Sequence, residues 1–166
     1  MAEILGFTNL RYDTHYERCA LDVFSPAADR HSPLVILIHG GGWIGGDRNQ
    51  YHQSCVELAN QGFAAATVGY RLLADANLDE IAYDVLRGMA YLSKHGSELG
   101  IDASRAVTLG SSAGSGASAV TVAYCTPFRP EKPTWTIPST TKGVSAGHLP
   151  FTLKDCTTVF IGLSTS

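Results

Sequence analysis

One pentapeptide constrains this chain more than any other feature. Gly110-Ser111-Ser112-Ala113-Gly114 is a G-x-S-x-G directly after a short aliphatic stretch, Arg105-Ala-Val-Thr-Leu109, and directly before a run of small residues with helical character. A strand that must turn sharply into a helix needs glycines on both sides of the bend, because flanking side chains would collide there. The serine at its apex projects at a helix N-terminus, where the dipole and unpaired N–H groups favour developing negative charge. Ser112 holds the nucleophile position in this spacing; Ser111 does not.

A second glycine motif follows another aliphatic run. Leu34-Val-Ile-Leu-Ile38 reads as a strand buried on both faces, and it opens into His39-Gly-Gly-Gly-Trp-Ile-Gly-Gly-Asp47. Acyl transfer generates an oxyanion, and a glycine run can turn its N–H groups into a pocket for it. Gly41 and Gly42 are the expected donors, joined by the N–H of Ala113. His39 and Trp43 are expected to shape the loop. A competing reading takes Gly40-x-Gly42-x-x-Gly45 as a dinucleotide fingerprint. The carboxylate expected at the end of the next strand is absent there, and only Arg71 is available for a 2′-phosphate, which would make it an NADP site.

The rest of the chain supports an alternation of strands and helices. Residues 16–24 alternate as an early strand, and Phe63–Val68 forms a second aliphatic run, with a helix expected over 48–61 between the two buried strands. Leu78, Ile81, Ala82, Val85, Leu86 and Met89 make one continuous helical face, opened by an Asn77–Glu80 capping pair and closed near Gly96 and Gly100. Residues 126–141 read as a loop, Lys142–Ala146 as a further short strand, and the end of the chain shows only a Val-Phe-Ile run. This order predicts a mostly parallel sheet with helices on both faces and functional loops at the strand C-termini. At 166 residues it predicts a single domain, 1–166.

Charged residues make up only 16% and the net charge is −3, without a lysine or arginine cluster, so neither nucleic acid nor an anionic membrane is an expected partner. No run approaches the roughly 20 apolar residues of a bilayer span, and the N-terminus lacks a secretory pattern. A cytoplasmic protein is expected, with Cys19, Cys55, Cys125 and Cys156 as free thiols. The histidines His15, His31, His52 and His95 show no metal-ligand spacing.

The combination resembles the esterase and lipase branch of the α/β-hydrolases with an HGGG-type loop. That group includes hormone-sensitive-lipase-like carboxylesterases, feruloyl or acetyl-xylan-type esterases and kynurenine-formamidase-like enzymes. The likeness covers residues 16–125 and is carried by Leu21–Pro26, His39–Asp47, Gly69-Tyr-Arg-Leu72, Asp84-Val, Gly100–Arg105 and Gly110–Gly114. It implies an α/β-hydrolase fold and a serine carboxylesterase acting on a small ester, with Ser112 as nucleophile, Gly41, Gly42 and Ala113 as the oxyanion hole, and no metal or organic cofactor. It also implies that the fold's C-terminal strands are missing. The family order is serine, acid, histidine, and the residues after Ser112 leave room for fewer than two βαβ units of about 30 residues. Only Glu131 with His148 keeps that order, since Asp155 follows the histidine. A second G-x-S-x-G, Gly143–Gly147, follows a polar loop and lacks the strand–helix context. Two alternatives to catalysis are an inactive remnant of the fold and a binding protein. Loss of the late strands would leave an exposed sheet edge through which a homo-oligomer can form.

Overall fold

The computed structural model describes residues 3–29, 31–118 and, as backbone, 160–163. Its strands and helices are β1 (Ile4–Arg11), β2 (Ala20–Pro26), β3 (Ser32–Ile38), α1 (His52–Asn60), β4 (Ala64–Val68), α2 (Leu78–Lys94), α3 (Gly96–Leu99), β5 (Ile101–Ser111), the helix α4 described over 113–118, and β6 (Phe160–Leu163). A single 3-10 turn, Arg48–Tyr51, precedes α1. The six strands form one sheet in the order β1-β2-β4-β3-β5-β6. β1, β2 and β4 pair antiparallel, and β4, β3, β5 and β6 pair parallel.

The two aliphatic runs occupy the middle of this sheet because they are apolar on both faces. Leu34, Ile36 and Ile38 with Ala64, Ala66 and Val68 pack into the larger core, which Ile81, Val85, Met89 and Leu92 of α2 complete. The alternate residues Val35, Leu37 and Ala65 pack on the other side with Cys55 of α1. One strand pattern therefore serves two helical layers. Burying each large aliphatic side chain contributes roughly 1.5–3 kcal/mol.

α2 carries the expected capping box: Glu80 N–H donates to Asn77 Oδ1 at 3.0 Å, and Asn77 N–H to Glu80 Oε2 at 2.9 Å. Leu78, the first residue of α2, departs from the expected face and is 52% exposed. Asp84, by contrast, is fully buried on that face. Its carboxylate grips Arg71 through Nε at 2.7 Å and Nη2 at 2.9 Å.

Several boundaries differ from expectation. The early strand begins at Ala20, not at residue 16: Tyr16 is the acceptor of a turn closed by Cys19 N–H at 3.0 Å. The helix expected over 48–61 divides into the 3-10 turn and α1. β5 starts at Ile101, earlier than expected, and β1 and β6 lacked a legible pattern. Cys19 and Cys55 are free and buried, and burial pushes their thiols up to about 11 and about 12. Cys125 and Cys156 lie outside the described residues, as does the short strand expected at 142–146. Among the described residues, no helix is long and apolar enough to cross a membrane.

Candidate active site

β3 and β5 are parallel neighbours, with Ile38 opposite Gly110. The loops that leave them, the glycine run and the G-x-S-x-G turn, therefore emerge side by side at the C-terminal edge of the sheet. At that edge the chain bends at Ser112, whose φ is 52°, and α4 begins at the next residue. A non-glycine residue in the left-handed region costs of order 1 kcal/mol or more and persists only where its surroundings impose it. Here they do. A Cβ on Gly110 would fall 2.2 Å from the Gly114 carbonyl oxygen, and one on Gly114 would fall 2.1 Å from the Ile38 carbonyl oxygen. The bend is thus seated directly on the end of β3. Ser112 is exposed while Ala113 and Gly114 are buried, so the serine alone faces outward at the apex. Ser115 closes the turn by donating N–H at 3.0 Å and Oγ–H at 2.6 Å to the Ser112 carbonyl.

The glycine loop lies against this bend. A Cβ on Gly40 would stand 3.3 Å from Ser112 Cβ and 2.6 Å from the Ser111 carbonyl oxygen. Gly41 and Gly42 take φ values of 124° and 63°, which turn the Gly41 carbonyl inward to accept from Ile44 N–H at 3.1 Å and Gly45 N–H at 3.0 Å. Among the described residues, the Gly41 and Gly42 N–H groups have no acceptor. The Ala113 N–H belongs to the first helical turn, where no intrahelical acceptor exists. The three expected donors thus belong to the two segments that meet at Ser112.

His39 is fully buried and stacks on Tyr70 with ring centroids 4.2 Å apart. Its Nδ1–H donates to the Gly40 carbonyl at 2.8 Å, and burial lowers its pKa, which keeps the imidazole neutral. Burial also pushes the Tyr70 phenol up to about 12, and its hydroxyl donates to the His39 carbonyl at 2.6 Å. Trp43 tilts against Tyr70 at 5.9 Å and lies alongside Gly116 of α4. Both residues shape the loop.

Among the described residues, no histidine hydrogen-bonds to Ser112. His52 pairs with Asp22 at 2.8 Å, His15 with Asp13 at 3.2 Å and His95 with Glu98 at 3.2 Å. Glu131, His148, Asp155 and the second G-x-S-x-G lie outside the described residues. No metal-binding group of histidine, cysteine and acidic side chains occurs among the described residues. Arg71, the residue that a 2′-phosphate would need, is 8% exposed and held by Asp84 on two atoms, with the Tyr16 ring 4.4 Å from its guanidinium carbon. It is a structural cation, and the dinucleotide reading loses its phosphate ligand. Two contacts at the site had no sequence signal: the Tyr51 hydroxyl lies 2.8 Å from Ser111 Oγ, and Arg18 bridges two loops.

The family model BD-FAE matches residues 21–127, which contain both glycine loops and the strands beneath them. The chain belongs to the BD-FAE family. It is an HGGG-type branch of the α/β-hydrolase esterases, and its neighbours are consistent with that. Esterase B from Lactobacillus rhamnosis has a solved structure similar to 71% of this chain at a TM-score of 0.67 and 36% identity, with 38% of the esterase covered. Lipase 2 of Moraxella sp. (strain TA144) is 36% identical over 81 residues, 48% of this chain and 19% of the lipase. Human arylacetamide deacetylase-like 4 is 32% identical over 118 residues, 69% of this chain and 28% of that protein. The chain thus spans less than a third of the length of these two curated relatives.

Proposed function

We propose that this BD-FAE chain carries the nucleophile and the oxyanion hole of a serine carboxylesterase acting on small esters. The observation that supports this most directly is the left-handed bend at Ser112, packed against a glycine loop whose N–H groups lack acceptors. Ser112 Oγ attacks the ester carbonyl as a histidine takes its proton. The N–H groups of Gly41, Gly42 and Ala113 receive the oxyanion, the alcohol leaves, and water then releases the acid from the acyl-enzyme. The neutral His39 is committed to the Gly40 carbonyl and does not serve as the base. His148, with Glu131 as its acid, is the one pair that keeps the family's chain order. The mechanism calls on no cofactor.

The test is labelling with a fluorophosphonate ester, mapped by mass spectrometry, alongside turnover of p-nitrophenyl acetate. A Ser112 adduct and loss of turnover in Ser112→Ala by at least about a thousandfold are expected, since triad members act as a unit. Unchanged turnover in Ser112→Ala sinks the assignment. A folded chain that takes no label and leaves the ester intact would instead keep the scaffold of the fold without its chemistry.

A further inference from the structure

Arg18 belongs to neither glycine motif, yet its guanidinium ties the end of the glycine loop to the segment that follows β4. We propose that Arg18 is a positioning residue, a clamp that holds the far end of the glycine loop and so fixes the Gly41 and Gly42 N–H groups beside Ser112. The inference rests on the oxyanion hole proposed above.

Arg18 lies in the turn between β1 and β2, and its own main chain is immobilised there. Its carbonyl accepts from Ala20 N–H at 2.9 Å, and a Cβ on Gly69 would fall 2.5 Å from that same oxygen. From this anchor the guanidinium reaches two separate segments. Nε donates to the Tyr70 carbonyl at 3.0 Å, Nη2 donates to the Gly46 carbonyl at 2.6 Å, and Nη1 stands 4.0 Å from Asp47 Oδ2. A planar fork holds two acceptors at a fixed separation, which an ammonium on a flexible stem does not. Donation from a charged group also makes each bond roughly twice as strong as a neutral one.

Gly46 transmits that constraint. Its φ is 89°, and a Cβ there would fall 2.1 Å from the Gly40 carbonyl oxygen and 2.6 Å from His39 Nδ1. The peptide that Arg18 grips is therefore packed directly on the peptide that precedes the oxyanion donors. Tyr70 closes the circuit: its hydroxyl holds His39 at the start of the loop, while its carbonyl is held by the arginine that fixes the loop's end. Such a brace has a physical purpose. Glycine loses more conformational freedom on ordering than any other residue, and oxyanion donors act only when held in place before the reaction.

The experiment compares the whole chain with Arg18→Gln and Arg18→Lys by hydrogen exchange over residues 39–47 and by p-nitrophenyl acetate kinetics. In Arg18→Gln, exchange over 39–47 is expected to rise about tenfold while β3 and β5 keep their protection. The same variant is expected to lose about tenfold in kcat with KM within about twofold, less than the hundredfold or more that deleting a donor costs. Arg18→Lys is expected to recover less than half of that loss. Unchanged exchange over 39–47, exchange rising equally across the whole sheet, or full kcat in Arg18→Lys would each overturn the clamp. If the parent chain neither turns over nor takes the fluorophosphonate, the esterase reading fails alone, and the exchange comparison still decides the role of Arg18.

Discussion

Ser112 is the only described residue of the bend that is both exposed and held at a positive φ without being glycine. No described residue hydrogen-bonds to its hydroxyl, so glycine would serve the bend itself equally well. This predicts a separation of stability from chemistry. Ser112→Gly should be about 1 kcal/mol more stable than Ser112→Ala in urea unfolding, because glycine enters the left-handed region freely while alanine keeps the strain. Both should lose fluorophosphonate labelling. Equal unfolding midpoints for the two would show that the bend is relaxed. At this scale the sequence was most legible: G-x-S-x-G and the glycine run are local patterns whose conformations follow from missing side chains. Arg18 and Tyr51 were not legible, because each acts on a loop some 28 and 60 residues away along the chain.

At the scale of elements, apolar periodicity located the central strands and α2 because they are buried, and burial is what writes a period into sequence. β1 was missed because it lies at the sheet edge, half-exposed, and is interrupted at Asn9 by a register shift with φ at 57°. Asp84 shows the converse limit. A carboxylate in the middle of an apolar helical face breaks the pattern unless its partner is known, and that partner, Arg71, arrives from the segment after β4. The pair is buried on both sides, with side-chain exposures of 9% and 0%. Breaking it from one side leaves a charge in the core. Asp84→Ala is therefore expected to lose about 3–5 kcal/mol of unfolding free energy, whereas the double change Arg71→Met with Asp84→Leu should recover most of it. A double variant as unstable as Asp84→Ala would show that the ion pair contributes more than the avoided desolvation. The Asp84 hydrogen bonds raise the Arg71 pKa further above its ordinary value, so the guanidinium stays charged across the neutral range.

For the whole molecule, the buried polar groups set how stability answers to acid, and they predict two separate losses. The His39 imidazole is kept neutral by burial, with its pKa below the usual value near 6.5. The unfolded chain therefore binds a proton at this position that the folded chain refuses, and stability begins to fall as pH drops below about 6.5. The second loss comes from carboxylates. His15 N–H, at 2.7 Å, and then the Arg87 guanidinium hold the Asp13 carboxyl down to about 2 against its burial. The Ser104 hydroxyl and Arg105, both at 2.6 Å, do the same for Asp102. Their stabilisation is complete above the ordinary carboxylate pKa near 4 and is lost as pH falls from there toward about 2. Urea midpoints measured from pH 8 to 2 should accordingly decline in two limbs. Asp13→Asn should start from a lower midpoint at pH 7, keep the upper limb unchanged and flatten the lower one. Asp13 joins the turn after β1 to α2, whereas His39 ties β3 to the glycine loop. An upper limb that vanished together with the lower one in Asp13→Asn would mean that the Asp13 and His39 sites titrate as one coupled unit and not separately.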